Sequence, residues 1–571
     1  MQRHVHLGSG LYVALLYCIV DKMNTYLEEK VRGALKRLGI VDVGVVIEFP
    51  GELSHGDFAT NAALVAAQIA GISPKELAVK IVEELGTLDH VSSIDIAGPG
   101  FINFTLSRDY FLQTVLSIDE SWGRNKKPKV PARKVAVEYT SPNLFKPLHI
   151  GNLMANIVGE TISRLIEWNG DEVRRVNYPS DIGLTVAKGV WGVLTNKYDP
   201  SNITELGLAY RDGSTAYEDN AEAKKEIDAI NKKLYEGDPE LTAIREKGIA
   251  TSLARIRELC RILGTKFDLE FFESEVGETG RAVVRENIGN IFEESDKAII
   301  FPGEKYGLHT RVFVNSLGLP TYEAKDLALS KLKYDTFPFD QSIVVTGGEQ
   351  KEYFKVIIKA IELVYPVLQG KLSHIGIGFL TLTTGKMSSR KGNVLTGESV
   401  LEGVRNETLA IMNARDFSGD KEKTADQIAV AAIKYSVLKQ KTGKNIIFNQ
   451  KASLSFEGDS GPYLQYSYTR AMSVLLKSEI VSEPIPTGDI PVIERVLPRF
   501  PQVVERATRE FEPHYITTYL TEIASAFNSW YAQEKILGSE HEAYKLKLTE
   551  AFATTMKNGL WLLGIETPKQ M

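Results

Sequence analysis

Two hydrophobic rhythms meet early in this chain. In "RKVAVEYT" (133–140) Val135 and Val137 alternate with small or charged neighbours, the period of a half-buried strand. Leu153, Ile157, Ile162, Leu165 and Ile166 then recur near helical spacing. Between them lies a glycine-bearing turn, "SPNLFKPLHIGN" (141–152). Strand, turn and helix in this order place the turn at the carboxyl edge of a parallel sheet, where nucleotides bind, and the N-terminus of the helix favours phosphate.

The same reading organises the rest. In "SPKELAVKIVEEL" Ser73 is a helix N-cap with Pro74 at the first helical position and Glu76 closing a capping box, after which Leu77, Ile81 and Leu85 share a face. "SSIDIAGPGFINFTLS" predicts strands broken at Pro99 and Gly100, so about 23–107 is an α+β module. A basic linker follows at 108–133, where "RNKKPKVPARK" carries Pro128 and Pro131 and excludes regular structure. An α/β domain spans 134–400 and is interrupted at about 195–295 by a charged helical insertion. There Leu253, Ile256, Leu259, Cys260 and Leu263 line one face, which makes Cys260 a core residue. From 401 to 571 helical patterns dominate, with Tyr519, Leu520, Ile523, Ala524, Phe527 and Tyr531 at three- and four-residue spacing, as in an all-α bundle.

Composition narrows the function. With 571 residues, 43% hydrophobic and 25% charged, the chain can build several cores, and its net charge of −6 excludes a generally basic nucleic-acid coat. Two cysteines, Cys18 and Cys260, give neither a disulfide framework nor a zinc site, and they suit a reducing compartment. Residues 1–22 contain "LYVALLYCIV", too short to span a bilayer and followed by no cleavage site, so they read as an extension of unknown role.

A second segment carries chemistry. "GKMSSRKGN" (385–393) sets Lys386, Arg390 and Lys391 between Gly385 and Gly392, a polar loop able to fold over a polyphosphate. Together with Lys146 and His149 of the first segment, it points to nucleotide chemistry.

These two segments, with "HGDFATNAAL" (55–64), "AGPGFINFTLS" (97–107), "NYPSDIGLTVAK" (177–188), "YEAKDLALSKL" (322–332), "TGGEQKEYFKV" (346–356) and "FEGDSGPYLQYSYTR" (456–470), occur in one order. In that order the chain resembles the class I aminoacyl-tRNA synthetases, and among them the arginyl-tRNA synthetases, from about residue 40 to Met571. Two positions depart from the family pattern: Asn152 stands where a second His is usual, and Ser389 where the mobile loop usually has a second Lys.

The resemblance implies a multidomain protein with a Rossmann-like parallel-sheet catalytic domain, an N-terminal module contacting the tRNA elbow, and a C-terminal helical anticodon-binding bundle. It implies ATP-dependent activation of L-arginine and transfer to tRNA(Arg), the alternative being a non-catalytic tRNA-binding relative. Lys146, His149 and Lys386 are the expected catalytic groups, Lys146 supplying the charge that the loop lacks at Ser389. ATP is expected at His149, Gly151, Asn152, Lys386, Met387, Ser388, Ser389 and Arg390, and arginine at Glu138, Ser141, Asn143, Tyr322, Asp326 and Gln350. A planar guanidinium demands carboxylates set for forked hydrogen bonds, which Glu138 and Asp326 can meet. Mg²⁺ is expected with ATP and no zinc; a monomer in the cytoplasm, without a membrane partner, completes the expectation.

Overall fold

The computed structural model describes residues 23–125, 131–383, 396–414, 417, 419–478, 484–486 and 488–571. The chain forms two compact units, each discontinuous in sequence. One comprises the residues up to Gly123, with Ser467–Val503 and Tyr519–Asn558; the other comprises Arg124–Tyr466, Val504–Thr518 and Gly559–Met571.

The second unit is built on a five-stranded sheet. Its strands, in chain order, are Lys134–Glu138, Glu172–Asn177, Leu269–Glu270, Gln341–Gly347 and Leu372–Ile377. All neighbours pair in parallel, in the spatial order third, second, first, fourth, fifth. Parallel neighbours require crossovers, which the helix Ile150–Trp168 provides between the first two strands and Lys351–Val364 between the last two. Order reverses between the first strand and the fourth, where Glu138 lies opposite Val344. That switch point opens a crevice at the carboxyl ends of the strands.

Helices Leu184–Asn196, Ile203–Asp219, Ala221–Glu236 and Pro239–Ile262 pack around Phe145, Val190, Leu206, Ile227, Leu253 and Ile256. Cys260 is in this core, and burial pushes its thiol up to about 12. The stretch 195–295 is not wholly an insertion, because Leu269–Glu270 returns to the main sheet before the helix Glu273–Glu286. A separate three-stranded antiparallel sheet follows, formed by Glu293–Ser295, Ala298–Phe301 and Arg311–Val314. Strands of two to four residues are too short to display a period, so the sequence pattern passes over them. Beyond residue 400, Gly397–Asn413 and Lys421–Leu438 stay in this unit, and Ile446–Phe448 pairs in parallel with Leu380–Leu382.

Buried polar groups fasten this unit. Glu160 accepts from Tyr139 Oη at 2.6 Å, from Arg164 Nε at 2.7 Å and from Arg175 Nε at 3.0 Å, which ties the helix to the adjoining strand. The helix and Tyr139 approach so closely that a Cβ on Gly159 would lie 2.3 Å from the Tyr139 ring. Lys434, only 1% exposed, donates to Leu263 O and Gly564 O, both at 2.7 Å. Burial and the nearby Arg164 push its amine down to about 7. A neutral amine has two N–H donors, matching the two carbonyls.

In the first unit Ile47–Glu48, Phe58–Thr60, Phe101–Leu106 and Val91–Ala97 form a four-stranded antiparallel sheet, in that order. The helix Pro74–Leu85 starts at the Ser73–Glu76 capping box and buries Leu77, Ile81 and Leu85. Tyr519, Leu520, Ile523, Ala524 and Phe527 are buried, whereas Tyr531 is 37% exposed. Phe527 stacks on Phe552 with ring centroids 4.0 Å apart. Buried Glu494 pairs with Arg108 and accepts from Tyr544, and Arg495 pairs with Asp57 at 2.7 Å. No single helix among the described residues is long and apolar enough to cross a membrane.

Lys434→Met leaves two buried carbonyls without donors. The expected loss is about 2–5 kcal/mol of unfolding free energy, read by urea denaturation of the full chain.

Candidate active site

At the switch point the sheet opens into a cleft of about 1000 Å³. One wall is the loop that leaves Glu138. Thr140, Ser141 and Phe145 adopt left-handed backbone angles, with φ of 72°, 39° and 68°. For a β-branched residue such as Thr140 this is costly and persists only when its surroundings enforce it. They do so here: Asn152 Nδ2 donates to Thr140 O at 2.7 Å, Asn156 Nδ2 donates to Thr140 Oγ1 at 3.0 Å, and Phe145 N donates to Ser252 Oγ at 3.1 Å. Asn143 is held by a parallel bridge to Ser180.

The loop delivers the chain to the helix Ile150–Trp168, whose N-cap is His149. His149 Nδ1 accepts from Gly151 N at 3.1 Å, which assigns the neutral ring's proton to Nε2. Burial and the Lys146 ammonium lower the pKa of His149, against a smaller pull upward from Glu349. At neutral pH the imidazole is therefore an uncharged N–H donor. Lys146 is itself lowered by burial and by Lys188. Among the described residues, a Cβ on Gly151 would meet only the His149 ring within 4 Å, at 3.3 Å.

The Asn152 amide donates to the strained loop carbonyl. The helix N-terminus keeps its dipole, and the side chain serves the backbone.

At the opposite end the cleft is acidic. Glu138, Glu273, Glu323 and Asp326 all line it. Glu138 is buried and pairs with Lys333 at 2.6 Å, so it is neither solvated nor unpartnered. Glu273 pairs with Lys325 at 2.7 Å, and Glu323 with Arg311 at 3.3 Å. Asp326 accepts from Tyr353 Oη at 2.6 Å, and burial raises its carboxyl to about 7, with Glu138 and Glu273 adding to the rise. Lys331, on the same helix, pairs with Asp335. Ser141 Oγ and Tyr178 Oη are buried without a hydrogen-bond partner among the described residues, and both residues line the cleft. Such orphaned groups suit a polar ligand.

The cleft thus gathers Glu138, Ser141, Asn143, Lys146, His149, Gly151, Asn152, Tyr322, Asp326 and Gln350. Lys386, Met387, Ser388, Ser389 and Arg390 lie outside the described residues. Their flanks are described: Leu382 lines the cleft, Thr396 bridges His149, and Gly397 N donates to Leu148 O at 2.8 Å. Sequence reasoning missed Tyr178, Glu273, Arg311, Lys325, Lys333 and Tyr353. The segment "NYPSDIGLTVAK" marked Tyr178, whereas no local pattern marked the buried lysines.

A doubly wound sheet with this loop and helix N-terminus is the frame of a class I tRNA synthetase, and the family model described as tRNA synthetases class I (R), catalytic domain, matches residues 112–450. The DALR anticodon binding domain matches 464–571, and the arginyl tRNA synthetase N terminal domain matches 25–106. With all three in order, the chain belongs to the arginyl-tRNA synthetase family. An arginine–tRNA ligase of Clostridium perfringens is 30% identical over 94% of this chain and 97% of its own length. Arginine–tRNA ligase 2 of Bacillus anthracis is 31% identical over 92% of this chain and 95% of its own. The arginyl-tRNA synthetase structure from Thermus thermophilus matches with a TM-score of 0.78 and 25% identity, covering 96% of this chain and all of that one. The Plasmodium falciparum structure shares the fold, with a TM-score of 0.79 at 20% identity over 96% of this chain and 99% of that one.

Asn152→Ala removes the donor that holds Thr140 O. It should lower unfolding free energy by about 1–3 kcal/mol in denaturant titration.

Proposed function

We propose that this protein is an arginine–tRNA ligase that activates L-arginine with ATP and transfers it to the 3′ end of tRNA(Arg), releasing pyrophosphate and AMP. The observation that carries the reading is a single cleft lined both by Lys146 and His149 and by four carboxylates, Glu138, Glu273, Glu323 and Asp326, of which three are ion-paired.

In the first step the arginine carboxylate attacks the α-phosphate in line and pyrophosphate leaves. In the second, a terminal ribose hydroxyl of tRNA attacks the adenylate carbonyl and AMP leaves. Neither step requires a covalent bond to the protein, so its contribution is positioning and electrostatic stabilisation. Lys146 supplies positive charge to the phosphates, His149 donates from Nε2, and Gly151 allows the adenine to approach the backbone. Lys386, with Met387, Ser388, Ser389 and Arg390, is assigned to ATP binding. Asp326 takes the guanidinium; Tyr322, Asn143, Ser141 and Gln350 orient the rest of the amino acid, and Glu138 completes the acidic wall.

Mg²⁺ accompanies ATP and neutralises phosphate charge. Among the described residues no group of three or more His, Cys, Asp or Glu converges as a metal cage, so phosphates and water would hold the ion. The module at 23–107 contacts the tRNA elbow and the helical C-terminal region binds the anticodon, with the protein working as a cytoplasmic monomer. Lys146 and His149 lining the same cleft as Asp326 favour catalysis over a tRNA-binding role alone.

Purified protein should catalyse arginine-dependent pyrophosphate exchange that requires tRNA. Equal exchange with lysine, or none with any amino acid, overturns the assignment. The pH dependence has a definite sign. With Asp326 raised to about 7, arginine binding must expel its proton below that pH. KM for arginine should therefore climb as pH falls through 7 and level off above it. Asp326→Asn should lower kcat/KM for arginine about 10- to 100-fold and flatten this profile.

A further inference from the structure

The acidic end of the cleft holds more carboxylates than one guanidinium can neutralise. Of Glu138, Glu273, Glu323 and Asp326, the first three are ion-paired, with Lys333, Lys325 and Arg311 respectively. Asp326 has a neutral partner in the Tyr353 hydroxyl, and among the described residues it forms no ion pair.

Of these three cations Arg311 lines the cleft, whereas Lys325 and Lys333 are both buried and do not, and Lys333 alone of the three borders a second cavity. Lys325 sits 5.3 Å from the centre of the Tyr322 ring, itself part of the cleft wall. Lys333 is 2% exposed. It borders a cavity of about 30 Å³ behind the carboxylates, together with Glu138, Asp326, Ser330, Ser342 and Ser373. That space is too small for a guanidinium, so Lys333 reaches the substrate's pocket only through the groups in front of it.

We propose that Lys333 is a positioning residue for substrate selection: paired with Glu138 from behind, it cancels that carboxylate and leaves Asp326 to accept a single forked cation. The inference rests on the reading of this cleft as the arginine site. Two carboxylates facing one pocket without a counter-charge would not both stay ionised; one would hold a proton and present the wrong donor to the guanidinium. With Lys333 in place the pocket lacks one positive charge, which arginine brings. The groups facing Asp326 act in both directions. Glu138 and Glu273 oppose its ionisation, Lys333 and the Tyr353 hydroxyl favour it, and the Glu273–Lys325 and Glu323–Arg311 pairs flank it.

The test measures arginine affinity against pH for the full chain, with proton exchange read by calorimetry in buffers of different ionisation enthalpy. In the wild type, affinity should weaken below about pH 7. Lys333→Met should move that midpoint upward by about one pH unit and increase the proton release on binding, while Lys333→Arg keeps the wild-type profile. Glu138→Gln, which leaves Lys333 facing Asp326 alone, should move the midpoint downward. The double variant Lys333→Met with Glu138→Gln carries the wild-type net charge and should return it. A folded Lys333→Met protein with an unmoved midpoint overturns the proposal, as does a double variant shifted as far as Lys333→Met. Should Lys333→Met not fold, an unmoved midpoint in Glu138→Gln overturns it equally. A wild-type protein that binds no arginine overturns the reading of the cleft instead.

Discussion

The parallel pairing of Lys134–Glu138 with Gln341–Gly347 is the constraint on which the site depends. These strands are neighbours in space though some two hundred residues apart in the chain. After Glu138 the chain crosses over toward Glu172–Asn177, and after Gly347 toward Leu372–Ile377, on the other side of the sheet. Because the connections diverge, a cleft opens above the two strand ends among the described residues. The strained loop with the His149 helix start lines that space from the first strand, and Gly347 with Glu349 and Gln350 from the fourth. A cleft of this kind is a property of strand order, fixed before any side chain is chosen.

Much of this frame was legible. Alternation at Val135 and Val137 gave the first strand, helical spacing from Leu153 to Ile166 gave the helix, and Ser73 with Glu76 gave a cap that the structure contains as a reciprocal box. Cys260 fell in a core because its neighbours kept helical period. What escaped notice was of two kinds. Leu269–Glu270 is a sheet strand of two residues, fixed by its pairing with Val176 and Asn177 and not by any rhythm of its own. Lys325 and Lys333 are buried at positions where a polarity pattern expects solvent, since each has a carboxylate partner from a distant element, Glu273 and Glu138. Local periodicity cannot register a charge made tolerable by a residue far away in sequence.

Those pairs are weak grounds for stability. Removing two charges from water costs several kcal/mol per ion, and apolar replacements of similar volume often fold as well or better. Their value in this cleft lies in direction and count. An acidic pocket that waits for a cation must not find one in a stray lysine or collapse by taking up protons. Fixing three carboxylates against Lys333, Lys325 and Arg311 makes the pocket acidic in shape while leaving its deficit of charge near one. Pre-paid organisation of this sort reduces what the substrate must reorganise on arrival.

The same division of labour holds at the phosphate end. Sequence resemblance draws attention to His149 and Asn152 as groups aimed at ATP, yet each has prior employment: His149 caps its own helix through Nδ1, and Asn152 clamps Thr140. Protonating His149 at Nδ1 would break the cap, and the adjacent Lys146 opposes the added charge, so both effects keep the ring neutral. The helix start can then offer an anion its dipole and one imidazole N–H, with no positive charge on the ring. A histidine at 152 would have to hold Thr140 O through a ring N–H in place of this amide. In this chain, therefore, Asn152 is better understood as the support for a strained turn than as a weakened version of a catalytic histidine.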